Sequence, residues 1–148
     1  MEVFMGYDGG FTKIRIKIET QEILDNYEKK LRTPLYNTLG KDNFFKFETV
    51  AINLRYLDND WSQVHCLRNV IDYKDIRNYE NDDTEFTLIT KDILKKYIVE
   101  IKKDYNEKLL EYGYDEENKF YQKDIQDLEQ LYNDFDWDNN TLVFSYSY

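Results

Sequence analysis

The sequence predicts an α+β fold: one domain over 1–148, with an antiparallel sheet of about four to five strands covered on one face by helices. Three observations predict it. Apolar residues alternate with polar ones in short runs near both ends, the period of a half-buried strand. After Thr90 they recur at helical spacing for more than five turns. One Pro and five Gly in 148 residues leave little room for a linker, and a 17% aromatic share supplies a core.

Taken in order, "EVFM" at 2–5 is a short strand candidate. Residues 11–19 alternate, with Ile14, Ile16 and Ile18 on one face and Lys13, Arg15, Lys17 and Glu19 on the other. Thr20 opens a helix over "QEILDNYEKKLR", with Leu24, Tyr27 and Leu31 in one stripe and Pro34 as its stop. "NFFKFETVAINLRYL" reads as a long strand, because Val50, Ile52, Leu54 and Tyr56 alternate. Asp60 and Gln63 form a capping-box pattern before "WSQVHCLRNVI", whose Trp61, Val64, Leu67 and Ile71 share a stripe. "EFTLIT" at 85–90 is a further short strand. Leu94, Tyr97, Ile98, Ile101, Tyr105 and Leu109 then define a long helix that ends near Gly113. Tyr121, Ile125, Leu128, Tyr132 and Phe135 define a second helix, and the short break between the two predicts a C-terminal helical hairpin. "TLVFSYSY" closes the chain as a strand with Leu142, Phe144, Tyr146 and Tyr148 on one side.

Composition narrows the function classes. Cys66 is the only cysteine, so no internal disulfide forms. No apolar run reaches the roughly 18–20 residues of a membrane span, and the N-terminus lacks a signal-peptide pattern; the expected location is cytoplasmic. Charge is divided unevenly: residues 1–56 carry eight acids and nine bases, and residues 57–148 carry twenty-two acids and eleven bases. A chain at −10 overall repels nucleic acid and anionic membranes and is drawn to basic surfaces.

"MGYDGGFTKIRIKIE" at 5–19 raises the question of a phosphate loop. Such a loop brings backbone N–H groups to the anion with a helix N-terminus just beyond, whereas the residues after Gly10 alternate as a strand. Asp8-Gly9 between two alternating runs instead predicts a hairpin turn. "YDGGFTK" also resembles the first phosphate loop of the actin, heat-shock chaperone and sugar-kinase superfamily. That likeness implies phosphate and metal contacts from Asp8, Gly10, Thr12 and Lys13, and a small nucleotide-binding protein or enzyme using the Gly6–Lys13 loop is the alternative function. It covers about ten residues, with no second phosphate motif and a chain too short for the two-domain fold, so the turn is preferred.

Other constellations point away from catalysis. His65 and Cys66 are helix neighbours about 100° apart, so they do not form a nucleophile–base pair, and they are too few for zinc. Asp134, Asp136 and Asp138 in "DFDWDNN" have the 1-3-5 spacing of a calcium loop, but Asn139 stands at position six and Ser145 at position twelve. No carboxylate pair is singled out by an apolar setting, and the only basic stripe, Lys13, Arg15 and Lys17, is too short for nucleic acid. No metal, cofactor or catalytic residue is expected.

The acidic second half remains. With Tyr121, Ile125, Leu128 and Tyr132 inward, the helical wheel places Glu116, Asp127 and Asp134 outward, with Lys119 and Lys123 between them. Glu80, Asp82, Asp83, Asp115, Glu117, Asp136 and Asp138 extend the acid to both ends of the domain, flanked by Tyr112, Tyr114 and Trp137 as interface aromatics. Carboxylates spaced along a helix approximate a phosphate row, since B-DNA carries one charge per about 1.7 Å. The expected function is therefore a non-catalytic acidic inhibitor that occupies a basic, nucleic-acid-binding surface on a partner protein. In composition, acidic and rich in Asn, Lys and Tyr, the chain resembles phage anti-defence proteins, anti-CRISPRs among them. That likeness implies a nuclease or CRISPR effector as partner; a toxin-immunity protein is the closest variant.

Overall fold

The last strand organises the molecule. The computed structural model describes residues 8–31, 47–54, 66–77, 84–113 and 116–147. Among these, β1 (Asp8–Ile14), β2 (Phe47–Leu54), β3 (Thr87–Ile89) and β4 (Thr141–Ser147) pair antiparallel in the order β2-β1-β4-β3. Helix α1 (Gln21–Leu31) follows β1, and α2 (Lys91–Tyr112) and α3 (Glu116–Asp134) lie between β3 and β4 in sequence. Residues 66–68 are helical and a 3-10 turn spans Tyr73–Asp75. The strand expected at 2–5, the Asp60–Gln63 capping pattern, Trp61, Val64, His65, Pro34 and Tyr148 lie outside the described residues.

Local chemistry sets the helix ends. Thr20 and Thr90 each accept a hydrogen bond through Oγ1 from the backbone N–H three residues on, Ile23 and Ile93, both at 3.2 Å. Gly113 closes α2 at φ 74°, with its N–H on the Leu109 carbonyl at 3.0 Å. A left-handed cap of this kind favours glycine, which has no Cβ to clash. Among the described residues no helix is long and apolar enough to cross a membrane.

Leu142, Val143 and Phe144 are each fully buried. Successive strand residues point to opposite faces, so three buried neighbours require cover on both. Leu142 and Phe144 join Phe11, Ile89, Leu94, Tyr97 and Leu128 in the larger core. Val143 packs instead with Ile14, Ile18 and Leu24. This corrects the expectation of helices on one face only: α2 and α3 cover one side of the sheet and α1 the other.

The Asp8-Gly9 turn is also corrected. Asp8, Gly9 and Gly10 are the first residues of β1, and Gly9 pairs with both Tyr146 of β4 and Leu54 of β2. The Asp-Gly hairpin signal assumes that adjacent runs pair with each other, whereas β1 finds its partners far away in sequence. The β1–β2 register shifts between Gly10 and Thr12, an irregularity that strand glycines often mark. Asp8 pairs with Ser147 of β4, and Gly9, Gly10, Thr12, Lys13 and Ile14 pair with both β4 and β2, so these residues of the Gly6–Lys13 reading form a strand and not a turn.

Beyond Ile14 the chain leaves the sheet but keeps its alternation. Ile18 is buried and Ile16 half-buried, while Arg15 and Lys17 are exposed. The Thr141 hydroxyl replaces the lost ladder: it accepts from Ile18 N and donates to the Ile16 carbonyl, both at 2.7 Å.

Candidate functional site

The C-terminal end of α3 and the turn into β4 bring together the clearest group of expected site residues. Ile125, Leu128 and Leu131 form the buried stripe of α3, which leaves Asp134 exposed on its last residue. The last turn of this helix holds no basic residue. A carboxylate there faces the negative end of the helix dipole, an arrangement that costs about 0.3–1 kcal/mol at a surface. After Lys123 the sequence carries six acidic residues and no Lys or Arg.

Asp136 builds the turn. Its Oδ1 accepts from the N–H groups of Asp138 and Asn139 at 3.2 and 3.3 Å, and its Oδ2 accepts from Asn139 Nδ2 at 2.8 Å. The Asn140 N–H bonds back to the Asp136 carbonyl at 3.0 Å. The Asn139 side chain holds the Asp136 carboxyl below its ordinary pKa, helped by the two backbone N–H groups. A lowered value means that the contribution to the turn is complete above the ordinary carboxylate pKa and is lost as pH falls through the lowered one. Asn139→Ala is expected to move the Asp136 titration upward, read by NMR of its carboxyl carbon.

With that carboxylate turned onto its own backbone, the 1-3-5 spacing does not converge on a centre. Among the described residues no group of three His, Cys, Asp or Glu side chains is arranged to hold a metal ion. Asp138 is exposed. Trp137 is half-buried: its ring lies 4.6 Å from Phe135, and its Nε1 donates to the Tyr132 carbonyl at 3.2 Å. The indole is thus anchored to the core as well as bordering the acid.

The other expected residues do not all join this group. Asp127 is half-buried, with Lys123 Nζ at 4.0 Å. Glu116 and Glu117 open α3 and Tyr112 closes α2. At about 1.5 Å rise per residue, Glu116 and Asp134 stand roughly 27 Å apart along the axis. Glu116 and Asp134 therefore mark opposite ends of α3 and do not form one patch. Glu80, Asp82, Asp83, Tyr114 and Asp115 lie outside the described residues.

Several polar residues at or near these elements were missed by periodicity. Lys17 Nζ donates to the Trp137 carbonyl at 2.7 Å, and Lys91 Nζ lies 5.3 Å from the centre of the Tyr132 ring. Both line a small recess of about 110 Å³ beside the acidic turn. Glu129 is paired with Lys102 of α2 at 3.1 Å. Asp124 is buried. Spacing along α3 would have placed Asp124 beside Ile125 and Leu128, the one available hint. Comparison with protein-family models, curated proteins and solved structures gives no match.

Proposed function

We propose that this chain is a non-catalytic acidic binding protein, which inhibits a partner by occupying a basic, nucleic-acid-binding surface. The observation that carries the reading is the exposed acid of Asp134 and Asp138 at the end of α3, in a stretch with no Lys or Arg after Lys123, where the nearby cations Lys17 and Lys91 come from other elements. Helix ends normally place cations at the C-terminus, so acid there suggests a requirement other than helix stability. Asp136 is exposed too, and its hydrogen bonds hold the turn that displays Asp138. A nuclease or CRISPR effector suits the role of partner, and an anti-defence inhibitor or a toxin-immunity protein are its two biological forms.

The same reading takes α2 and α3 as an antiparallel hairpin. The opposed order of their contacts supports it: Lys91 meets Tyr132, while Lys102 meets Glu129.

Charge reversal tests the proposal. Attraction between acid and a basic cleft weakens with salt, since the Debye length falls from roughly 10 Å at 0.1 M to about 3 Å at 1 M. Changing Glu116, Asp127 and Asp134 to Lys is expected to slow association with a basic nuclease or effector about tenfold or more at low salt. The change at exposed Asp134 should alter folding stability by less than about 0.5 kcal/mol, and urea unfolding checks that the triple, which also removes the Asp127–Lys123 pair, stays folded. A second triple, Asp82, Asp83 and Asp138 to Lys, tests further acid outside the first. Stopped-flow association across a salt series is the measurement. If both triples stay folded and associate at the original rate, the acid serves solubility and the proposal is wrong.

A further inference from the structure

Strand β3 is an edge of the described sheet, and its outer side is closed by side chains. Thr87, Leu88 and Ile89 face Phe144, Val143 and Leu142 on the inner side. On the outer side, Gln21 Oε1 accepts from Leu88 N at 2.8 Å and Gln21 Nε2 donates to the Phe86 carbonyl at 2.8 Å. A primary amide carries one donor face and one acceptor face, as a peptide does. Gln21 therefore makes the two bonds that a single residue of an added strand would make to this row.

Two further residues of the same helix continue the cover. Glu28, 1% exposed, accepts from Glu85 N at 2.8 Å and Phe86 N at 2.9 Å. Asp25 accepts from Arg77 Nη2 at 2.9 Å and from the Thr84 hydroxyl at 3.2 Å. Gln21, Asp25 and Glu28 are spaced i, i+4, i+7, one continuous stripe of α1. Beside it runs the apolar contact of Leu24 with Ile14, Ile18 and Val143.

We infer that α1 is a built-in guard of the β3 edge, holding the sheet closed against strand addition by a second copy of this chain. Unpaired edges are templates for another strand, and natural proteins cover them with helices or charge. A second copy is the fitting occupant because it presents the same edge. Two identical edges pair antiparallel about a two-fold axis, each satisfying the other.

Gln21→Leu removes both edge bonds while keeping helix propensity and bulk. Hydrogen exchange of the variant is expected to speed the Leu88 amide about tenfold or more, while the α2 amides around Ile98 and Ile101 keep their protection. Light scattering over a concentration series is expected to give twice the mass of the unsubstituted chain. Gln21→Ala removes the same bonds without added bulk and is read the same way should the leucine not be accommodated. A folded variant whose mass never departs from that of the unsubstituted chain, or whose Leu88 amide exchanges as slowly as before, overturns the proposal.

Discussion

Phe144→Ala is expected to lower the unfolding free energy by about 3–5 kcal/mol, the range for removing a buried aromatic ring. Phe144 is fully buried at the centre of the sheet, with its ring 5.8 Å from that of Phe11. Phe11 in turn meets Tyr97 of α2 edge-on at 5.8 Å. The cavity would open between a strand paired on both sides and a long helix, neither of which relaxes easily, so the upper part of the range applies. Urea unfolding reads it as a lower midpoint at unchanged slope. Leu110→Ala is the control. Leu110 is 89% exposed, and its change should stay within about 0.5 kcal/mol.

The second large effect is expected at Glu28. Glu28→Ala should destabilise by about 2–4 kcal/mol, because it strands the backbone N–H groups of Glu85 and Phe86, and leaving a donor unsatisfied costs about 1–3 kcal/mol, toward the lower end for each of these half-buried residues. The gain in helix propensity from alanine is only a few tenths of a kcal/mol and does not offset this. Glu28→Gln keeps one carbonyl acceptor and should lose roughly half as much. Urea unfolding of both variants decides it. Equal and small losses would mean that water replaces the carboxylate at the Glu85 and Phe86 amides.

The contrast between these residues shows how much of the molecule could be read in one dimension. Tyr97 and Phe144 sit on apolar stripes that periodicity finds, and both are buried as that periodicity implies. Glu28 falls one turn after Leu24, within the span of the α1 apolar stripe, and it is as buried as they are. Spacing from Leu24 and Leu31 hints at an inward Glu28, but nothing local shows what satisfies it, because its partners are the amides of Glu85 and Phe86. Gln21 is the same case: in sequence a helix-surface amide, in the fold the substitute for a strand.

The candidate site divides likewise. The exposed acid of Asp134 and Asp138 was legible, since it follows from the α3 stripe and the turn chemistry of Asp136. The neighbouring Lys17 and Lys91 were not, because one comes from the stretch after β1 and the other from the start of α2. Asp127 was expected outward with Lys119 and Lys123 among the acids; it is half-buried, and Lys123 one turn earlier partly neutralises it.

The sequence by itself determined the segments whose cause is local. The alternation of residues 11–19, the threonine caps at Thr20 and Thr90, the glycine end at Gly113 and the stripes of α2 and α3 each depend on neighbours within about four positions. It also determined the net charge and its concentration in the second half. Only the tertiary structure decided that Asp8 and Gly9 belong to a central strand, that β4 is covered on both faces, and that Gln21 and Glu28 close the β3 edge. The physical reason is range: the Thr141 hydroxyl reaches the Ile16 carbonyl across 125 positions, and Glu28 reaches Glu85 across 57. Which distant backbone satisfies a polar side chain is settled by how the layers stack, and a stripe of Gln, Asp and Glu on a helix reads the same whether it meets water or the edge of a sheet.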